Sequence, residues 1–218
     1  MTFATALGVD VGVAKGLDAV VLRDDRSVVR TERRLPVDAL HGLIRDSVPG
    51  VVAIDSPPGW AGVGKRRRDT EREMRAVGII SFATPSEERG VRNRFYEWMA
   101  VGFKAFEVAA ASGYPRYRQG SVQGTAIEVF PHATAVTLAG RLGPPRHARV
   151  RWRRDILMKE GVEADRLVGP DQVDAALAAL TGLFALDGMF NAPGDPDEGV
   201  IVVPVQSLVS PRYLREVS

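Results

Sequence analysis

The sequence contains no cysteine and no apolar segment long enough to cross a membrane. The first absence excludes disulfides and thiolate metal sites, so any metal must be held by oxygen or imidazole ligands. The second absence predicts that the chain has no membrane partner. Because the N-terminus also lacks the basic and apolar regions of a signal peptide, we expect a cytoplasmic protein. Lysine is scarce, and arginine outnumbers it by 25 to 4. This bias could reflect phosphate recognition or a GC-rich coding genome, and we favour the genome.

The remaining composition is that of an ordinary globular protein. The chain has 218 residues, of which 45% are apolar and 26% charged, which is enough for one sizeable hydrophobic core. Its formal net charge is only +2 although its isoelectric point is near 9.1, so bulk charge does not identify a partner. We predict a single domain spanning residues 1–218.

The first quarter of the chain has a strand-rich pattern. Short connections separate apolar or alternating segments, which predicts an antiparallel meander of three strands at residues 3–9, 16–22 and 28–33. A helix beginning at Pro36 and a short apolar strand ending at Asp55 follow. This strand–helix–strand order favours a right-handed crossover, which places the later strand parallel to the first.

Two acidic residues stand where ligands collect in such a sheet. Asp10 lies near the end of the first strand, between Gly8 and Gly12, and Asp55 ends the later strand. Ligands bind at the carboxyl ends of parallel strands, and a buried carboxylate must be paired or bound to a metal. Asp10 could instead simply end its strand and open a turn.

Residues 57–120 are less regular and are predicted to form a largely helical insertion. A glycine-containing basic loop leads into a helix that is capped near Asp69. Lys65 and the three arginines after it could hold a phosphate backbone or form a solvated charge run, and solvation is the default. A second basic segment at residues 143–155 contains Trp152 and is open to the same two interpretations.

A strong helix is predicted at residues 93–111, near the end of the insertion. Its apolar residues recur at helical spacing: Phe95, Met99, Phe103 and Phe106. Such a stripe is more typical of a hydrophobic core than of a surface on which nucleobases stack, so we predict that these side chains are buried.

Further strands follow the insertion. Residues 125–130 form a strand in which Glu128 projects from the face opposite its neighbours, and a helix begins after it. His132 could be a ligand, but a lone histidine after a strand is more often a polar edge residue. Near the C-terminus, residues 189–198 read as a loop and residues 200–205 as a final edge strand.

An alanine- and leucine-rich helix between these segments carries two aspartates on one face. Asp171 and Asp174 are three residues apart, so both belong to the first turns of the helix. Capping explains Asp171 well, whereas it explains Asp174 less well. Asp174 precedes small residues, Ala175, Ala178 and Ala179, that suit close packing of the helix on a sheet.

Five short motifs in this order carry a resemblance to a known family. They are G-V-D-V-G, A-I-D-S-P-P-G, R-R-D-T-E-R, I-E-V-F-P-H-A and D-Q-V-D-A-A-L-A-A-L-T-G. With them the chain resembles the ribonuclease-H-like superfamily, and within it the predicted-nuclease family called domain of unknown function 429. The resemblance implies an α/β fold, with an antiparallel three-strand meander and parallel strands in one mixed sheet flanked by helices.

The resemblance also implies a carboxylate site for two divalent cations, either Mg²⁺ or Mn²⁺. Its metal ligands would be Asp10, Asp55, Asp171 and Asp174, with Glu128 as a supporting catalytic residue. Two such metals about 3.5–4 Å apart can activate water and stabilise the leaving oxygen of a phosphodiester. Resolvases of this superfamily carry glutamate at the position of Asp55, so the shorter side chain is expected to shift the metal or admit a water.

The implied activity is hydrolysis of DNA or RNA, so nucleic acid is the expected partner. The basic side chains of the insertion are the candidate substrate contacts: Lys65, Arg67, Arg68 and Arg72. Resolvase-like enzymes often dimerise, which makes a homodimer a further expectation.

Two other functions fit the same residues. Actin-like sugar kinases and ATPases share this strand topology, and in such an enzyme Asp10 and Gly12 would face the Mg²⁺-bound phosphates of ATP, with Asp55 as the second acid. Those kinases usually have two lobes and a longer chain. The third possibility keeps the fold without catalysis, as a nucleic-acid-binding module with a vestigial acidic cluster.

Overall fold

The structure is a computed structural model that describes residues 4–12 and 15–209. Its strands are β1 (Thr5–Gly12), β2 (Gly16–Arg23), β3 (Val28–Leu35), β4 (Val51–Asp55), β5 (Thr125–Val129), β6 (Gly194–Asp195) and β7 (Gly199–Val202). Its α-helices are α1 (Leu40–Ser47), α2 (Asp69–Ala76), α3 (Glu87–Gly90), α4 (Glu97–Ala111), α5 (Pro131–Ala139), α6 (Arg149–Lys159) and α7 (Gly169–Leu186). Phe3, at the start of the predicted first strand, lies outside the described residues.

All seven strands form one mixed sheet in the order β3-β2-β1-β4-β5-β7-β6. The first three pair antiparallel, whereas β1–β4, β4–β5 and β5–β7 pair parallel. This arrangement confirms the predicted mixed sheet, in which an antiparallel three-strand meander is continued by parallel strands. The prediction that residues 200–205 form an edge strand was wrong in one respect. Strand β7 is not at the edge of the sheet, because the two-residue strand β6 pairs antiparallel with its outer side.

The two faces of the sheet are covered by different helices. Residues such as Ala6 and Ala53 face α7 together with α5 and α6, whereas Leu7, Val9 and Ile54 face α1 and α4. Strands β1 and β4 are buried on both faces, which explains their nearly continuous apolar sequences. Within the described parts of the chain, no helix has both the length and the hydrophobicity that a membrane span requires.

Helix α7 packs on β1 with almost no space between the two backbones. A Cβ atom added at Gly8 would lie 2.0 Å from the carbonyl oxygen of Ala175 and 2.3 Å from the amide nitrogen of Ala179. Ala175, Ala178 and Ala179 are all fully buried. The small-residue face predicted for this helix therefore does pack closely on the sheet.

The segment between β4 and β5 carries α2, α3 and α4. The aromatic stripe predicted to be buried is only partly so: Met99 and Phe106 are buried, but the Phe95 side chain is 52% exposed. The prediction was wrong for Phe95 because α4 begins only at Glu97, and Phe95 lies in the turn of 3-10 helix that precedes it.

Candidate metal centre

Three carboxylates from separate elements meet at one edge of the sheet. Asp10 and Asp55 are register partners on the adjacent parallel strands β1 and β4, so both side chains project toward the face that α7 covers. Asp174, in the second turn of α7, approaches them from the helix that packs on that face. One oxygen from each of the three half-buried carboxylates lies within 4.8 Å of the others. Asp10, Asp55 and Asp174 are named below as the carboxylate cluster.

Burial and mutual repulsion make this cluster hard to keep ionised. Burial raises the pKa of Asp10 well above its ordinary value, and the nearby charges of Asp174, Asp171 and Asp18 raise it further. Burial, Asp10 and Asp174 likewise raise the pKa of Asp55. The pKa of Asp174 is also raised by burial, although Arg153 opposes the shift. A cation at this position would remove the repulsion.

Arg153 on α6 supplies positive charge at the edge of the cluster. Its Nη1 donates to both carboxylate oxygens of Asp174 at 2.5 Å, and the two side chains are 15% and 19% exposed. The charge of Arg153 also offsets part of the rise in the pKa values of Asp10 and Asp55. The sequence did not indicate Arg153 as a site residue, because it lies in a basic segment and its partner Asp174 is 21 residues later in the chain.

The donor set of the cluster fits a hard divalent cation. Mg²⁺ binds carboxylate oxygens at about 2.0–2.1 Å, so two oxygens on one ion lie at most about 4.2 Å apart. The oxygens of Asp10, Asp55 and Asp174 reach that separation with small side-chain movements from their spread of up to 4.8 Å. To bind such an ion, Asp174 would have to lose at least one of the two hydrogen bonds that it accepts from Arg153. The cluster is therefore a candidate site for a divalent metal.

Asp171 and Asp18 lie at the border of the cluster. Asp171, predicted as a further ligand, does not join the group of three that the described residues form, and its Oδ2 is 3.3 Å from the Nζ of Lys15. It is nevertheless close enough to raise the pKa of Asp10. The buried Asp18, the register partner of Asp10 on β2, was missed in the sequence because a single aspartate in an apolar strand gives little signal.

Glu128 belongs to a different, buried network. Its register partner on β4 is Ile54, so its side chain projects from the face opposite Asp55. Both of its carboxylate oxygens accept from Arg68, with Nη2 at 2.5 Å and Nη1 at 2.7 Å. Arg68 also donates from Nε to Glu71, and Glu71 accepts from the backbone and hydroxyl of Thr84. The network ties α2 and a loop to the end of β5.

The predicted substrate-binding residues occupy different environments. Arg68 is 1% exposed, which argues against the predicted contact with a phosphate backbone on the surface. Lys65 pairs with Glu198 at 3.1 Å, and Arg72, whose side chain is 70% exposed, pairs with Asp69 at 3.2 Å. Arg67 is half-buried. Of the four, Arg72 is the side chain most open to a partner.

His132 is the second residue of α5. Burial lowers its pKa to about 4, and the charges of Arg153 and Arg149 contribute, so its ring is neutral at neutral pH. The ring has edge contacts with Phe130 and Trp152, at centroid distances of 5.8 and 6.1 Å. It is not a member of the three-residue cluster of the described chain.

The chain is similar to a family model and to solved structures. The family described as "Protein of unknown function (DUF429)" matches residues 8–198. Two solved structures are similar: "Thermus thermophilus RuvC structure", and "T. thermophilus RuvC in complex with Holliday junction substrate". The first is 14% identical with a TM-score of 0.45, covering 84% of this chain and 96% of the other. The second is 14% identical with a TM-score of 0.48, covering 85% and 96%. No curated protein matches the sequence.

Proposed function

This chain belongs to the DUF429 family, and we propose that it is a divalent-metal-dependent nuclease that hydrolyses phosphodiester bonds in DNA or RNA. The observation that carries the proposal is the convergence of Asp10, Asp55 and Asp174 from β1, β4 and α7. Three half-buried acids with raised pKa values destabilise the fold, and perturbed acids of this kind cluster at functional sites.

Mg²⁺ or Mn²⁺, as two ions, is the proposed cofactor. When bound, such ions activate water and stabilise the leaving oxygen of a phosphodiester. Asp10 and Asp55 would hold them from the sheet and Asp174 from α7. Asp171 is 37% exposed at the border of the cluster, where it can contribute a further ligand or orient water.

Arg153 has a proposed role in receiving the substrate. Its guanidinium is bonded to Asp174, and a cation at the cluster would displace it from that carboxylate. A phosphate oxygen is then the natural new partner, because guanidinium groups bind phosphates with strong, charge-assisted hydrogen bonds. Arg153 would hold the phosphate beside the carboxylates and neutralise part of its charge.

The experiment is a cleavage assay with the purified chain. Labelled single-stranded, duplex and branched DNA and RNA are incubated with Mg²⁺, with Mn²⁺ or with EDTA. We expect cleavage of at least one substrate only with a divalent cation. Asp10→Asn should abolish it while leaving the fold intact, because amide and carboxylate have the same shape but different charge.

The matched control is Asp187→Asn, at the exposed opposite end of α7. It should cleave like the wild type. Calorimetric titration with Mn²⁺ gives an independent readout, with binding lost in Asp10→Asn and kept in Asp187→Asn. If the wild type binds no divalent cation and cuts none of these substrates, the proposal is wrong.

A further inference from the structure

A cavity of about 360 Å³ opens at the carboxyl ends of β1, β4 and β5, on the face of the sheet that α4 covers. Its volume is at the lower end of the range of about 300–1,000 Å³ for small-molecule sites. Asp55, a member of the cluster, is also part of the cavity wall. The cavity lies on the α4 face of the sheet and the carboxylates project toward α7, so a ligand that reaches both must cross the carboxyl edge of the sheet at Asp55.

Aromatic side chains form the mouth of this cavity. Phe82 lies with its ring centroid 5.5 Å from that of Phe95 and 6.2 Å from that of Trp98, and all three line the opening. Phe82 is 62% exposed and Phe95 is 52% exposed. Large exposed apolar side chains that adjoin a cleft indicate a binding surface. Flat rings at the mouth favour a flat, aromatic ligand.

The inner end of the cavity is polar. Arg68, Glu71, Thr84 and Glu128 line it, and their hydrogen bonds to one another fix them in place. Each Glu128 oxygen accepts a bond from Arg68 and retains a lone pair for a second donor. A ligand with a flat apolar face and N–H groups along one edge would match both the aromatic mouth and this acidic inner end.

From these features we infer that the cavity receives one unpaired nucleobase of the strand to be cleaved. The inference rests on the proposed nuclease function. Base and phosphate of one nucleotide are joined through a single sugar, and Asp55 borders both the cavity and the cluster. A paired base cannot enter so small a space without leaving its partner. The substrate is therefore a single strand, or a duplex site where a base can swing out.

The test measures binding of short fluorescein-labelled single strands in EDTA, so that cleavage plays no part. Each exposed ring that stacks on a base contributes about 1–3 kcal/mol, which is about 5- to 150-fold in affinity. Phe82→Ala and Phe95→Ala should each weaken binding by such a factor for DNA and RNA alike. Because both side chains are exposed, neither variant should disturb the fold.

The matched control is Val91→Ala, which truncates an equally exposed side chain that does not line the cavity. It should bind like the wild type. A strand of the same length in which all nucleotides are abasic should bind the wild type as weakly as the normal strand binds Phe82→Ala. Stacking should also quench tryptophan fluorescence, and the quench should disappear in Trp98→Phe although Trp60 and Trp152 remain.

The outcomes separate this inference from the proposed nuclease activity. Equal binding of normal and abasic strands, or wild-type affinity in both phenylalanine variants, overturns the base pocket even if the protein cleaves. Base-dependent binding without cleavage under any cation supports the pocket and contradicts the nuclease. A wild-type protein that binds no single strand overturns the pocket outright.

Discussion

Arg153 holds Asp174 through a single nitrogen, with Nη1 placed 2.5 Å from both carboxylate oxygens. The guanidinium thus occupies a carboxylate that the candidate metal site would need. Its Nε is buried and makes no hydrogen bond within the described part of the chain. Arg153 and a divalent cation are therefore competitors for Asp174.

Replacing Arg153 with methionine should tighten divalent-cation binding. The substitution keeps the apolar stem but removes both the competing donor and a positive charge that repels the ion. We expect about a tenfold gain in Mn²⁺ affinity, which corresponds to about 1.4 kcal/mol. Calorimetric titration at neutral pH measures it. Arg151→Met, an exposed site on the same helix, should leave the affinity unchanged, and weaker binding in Arg153→Met would mean that the arginine positions Asp174 for the ion.

The stability of the metal-free protein should depend on pH through the carboxylate cluster. The pKa values of Asp10 and Asp55 are raised in the folded state by burial and by neighbouring acids, whereas in the unfolded chain they are about 4. The folded state therefore binds these protons more tightly, and stability falls as the pH rises above about 4 through the raised values.

Asp10→Asn should remove part of this dependence. In EDTA at neutral pH the variant should melt at least ~2–4 °C above the wild type, the shift that about 1 kcal/mol produces in a domain of this size. Near pH 4 the two melting temperatures should converge, because the wild-type carboxyl is then protonated. Saturating Mn²⁺ should raise the melting temperature of the wild type only. If the two melting temperatures differed by the same amount at all pH values, titration of the carboxylate cluster would be excluded as the cause of the difference.

The buried Arg68 should matter for stability more than for surface binding. Replacing it with methionine leaves Glu71 and Glu128 buried without their cation, and loss of one partner from a buried ion pair costs about 3–5 kcal/mol. Urea denaturation should show this loss, while Arg72→Ala on the exposed side of α2 should change stability by less than about 0.5 kcal/mol. If Arg68→Met left the stability unchanged but weakened oligonucleotide binding, the result would support the phosphate contact that the sequence predicted for Arg68.

Patterns local in the sequence predicted most of the sheet and the centre of the site. The apolar segments that end in Asp10 and Asp55 fix both strands, and the parallel crossover between them brings these acids to one edge. The alanines after Asp174 identify the face of α7 that packs on the sheet. These signals are readable because each depends on a few adjacent residues.

The long-range pairings could not be predicted in this way. Arg68 belongs to a run of basic residues that looks solvated, and no local pattern shows that it pairs with Glu128, 60 residues later. Arg153 and Asp174 are likewise brought together by the packing of α6 on α7. The exposure of Phe95 depends on where α4 begins, and helix starts are weakly encoded.

The position of Asp174 relative to Asp10 is set by the contact between Gly8 and α7, and Gly8→Ala tests this directly. The added methyl would meet the carbonyl oxygen of Ala175 at 2.0 Å and the amide nitrogen of Ala179 at 2.3 Å. Both atoms belong to the backbone, so no side-chain movement can relieve the clash and α7 must move away from β1. Overpacking of this kind costs about 1–3 kcal/mol or more.

Because Gly8 is on the same face of β1 as Asp10, that movement carries Asp174 away from the other carboxylates. We expect Gly8→Ala to lower the melting temperature by roughly 2–4 °C for each kcal/mol lost and to weaken Mn²⁺ binding by at least about tenfold. Gly59→Ala is the matched control, since a Cβ there meets nothing within 4 Å. If the Gly8→Ala protein melted at a lower temperature but bound Mn²⁺ normally, α7 would have moved without displacing Asp174. That result would contradict the claim that this contact holds the carboxylate cluster in place.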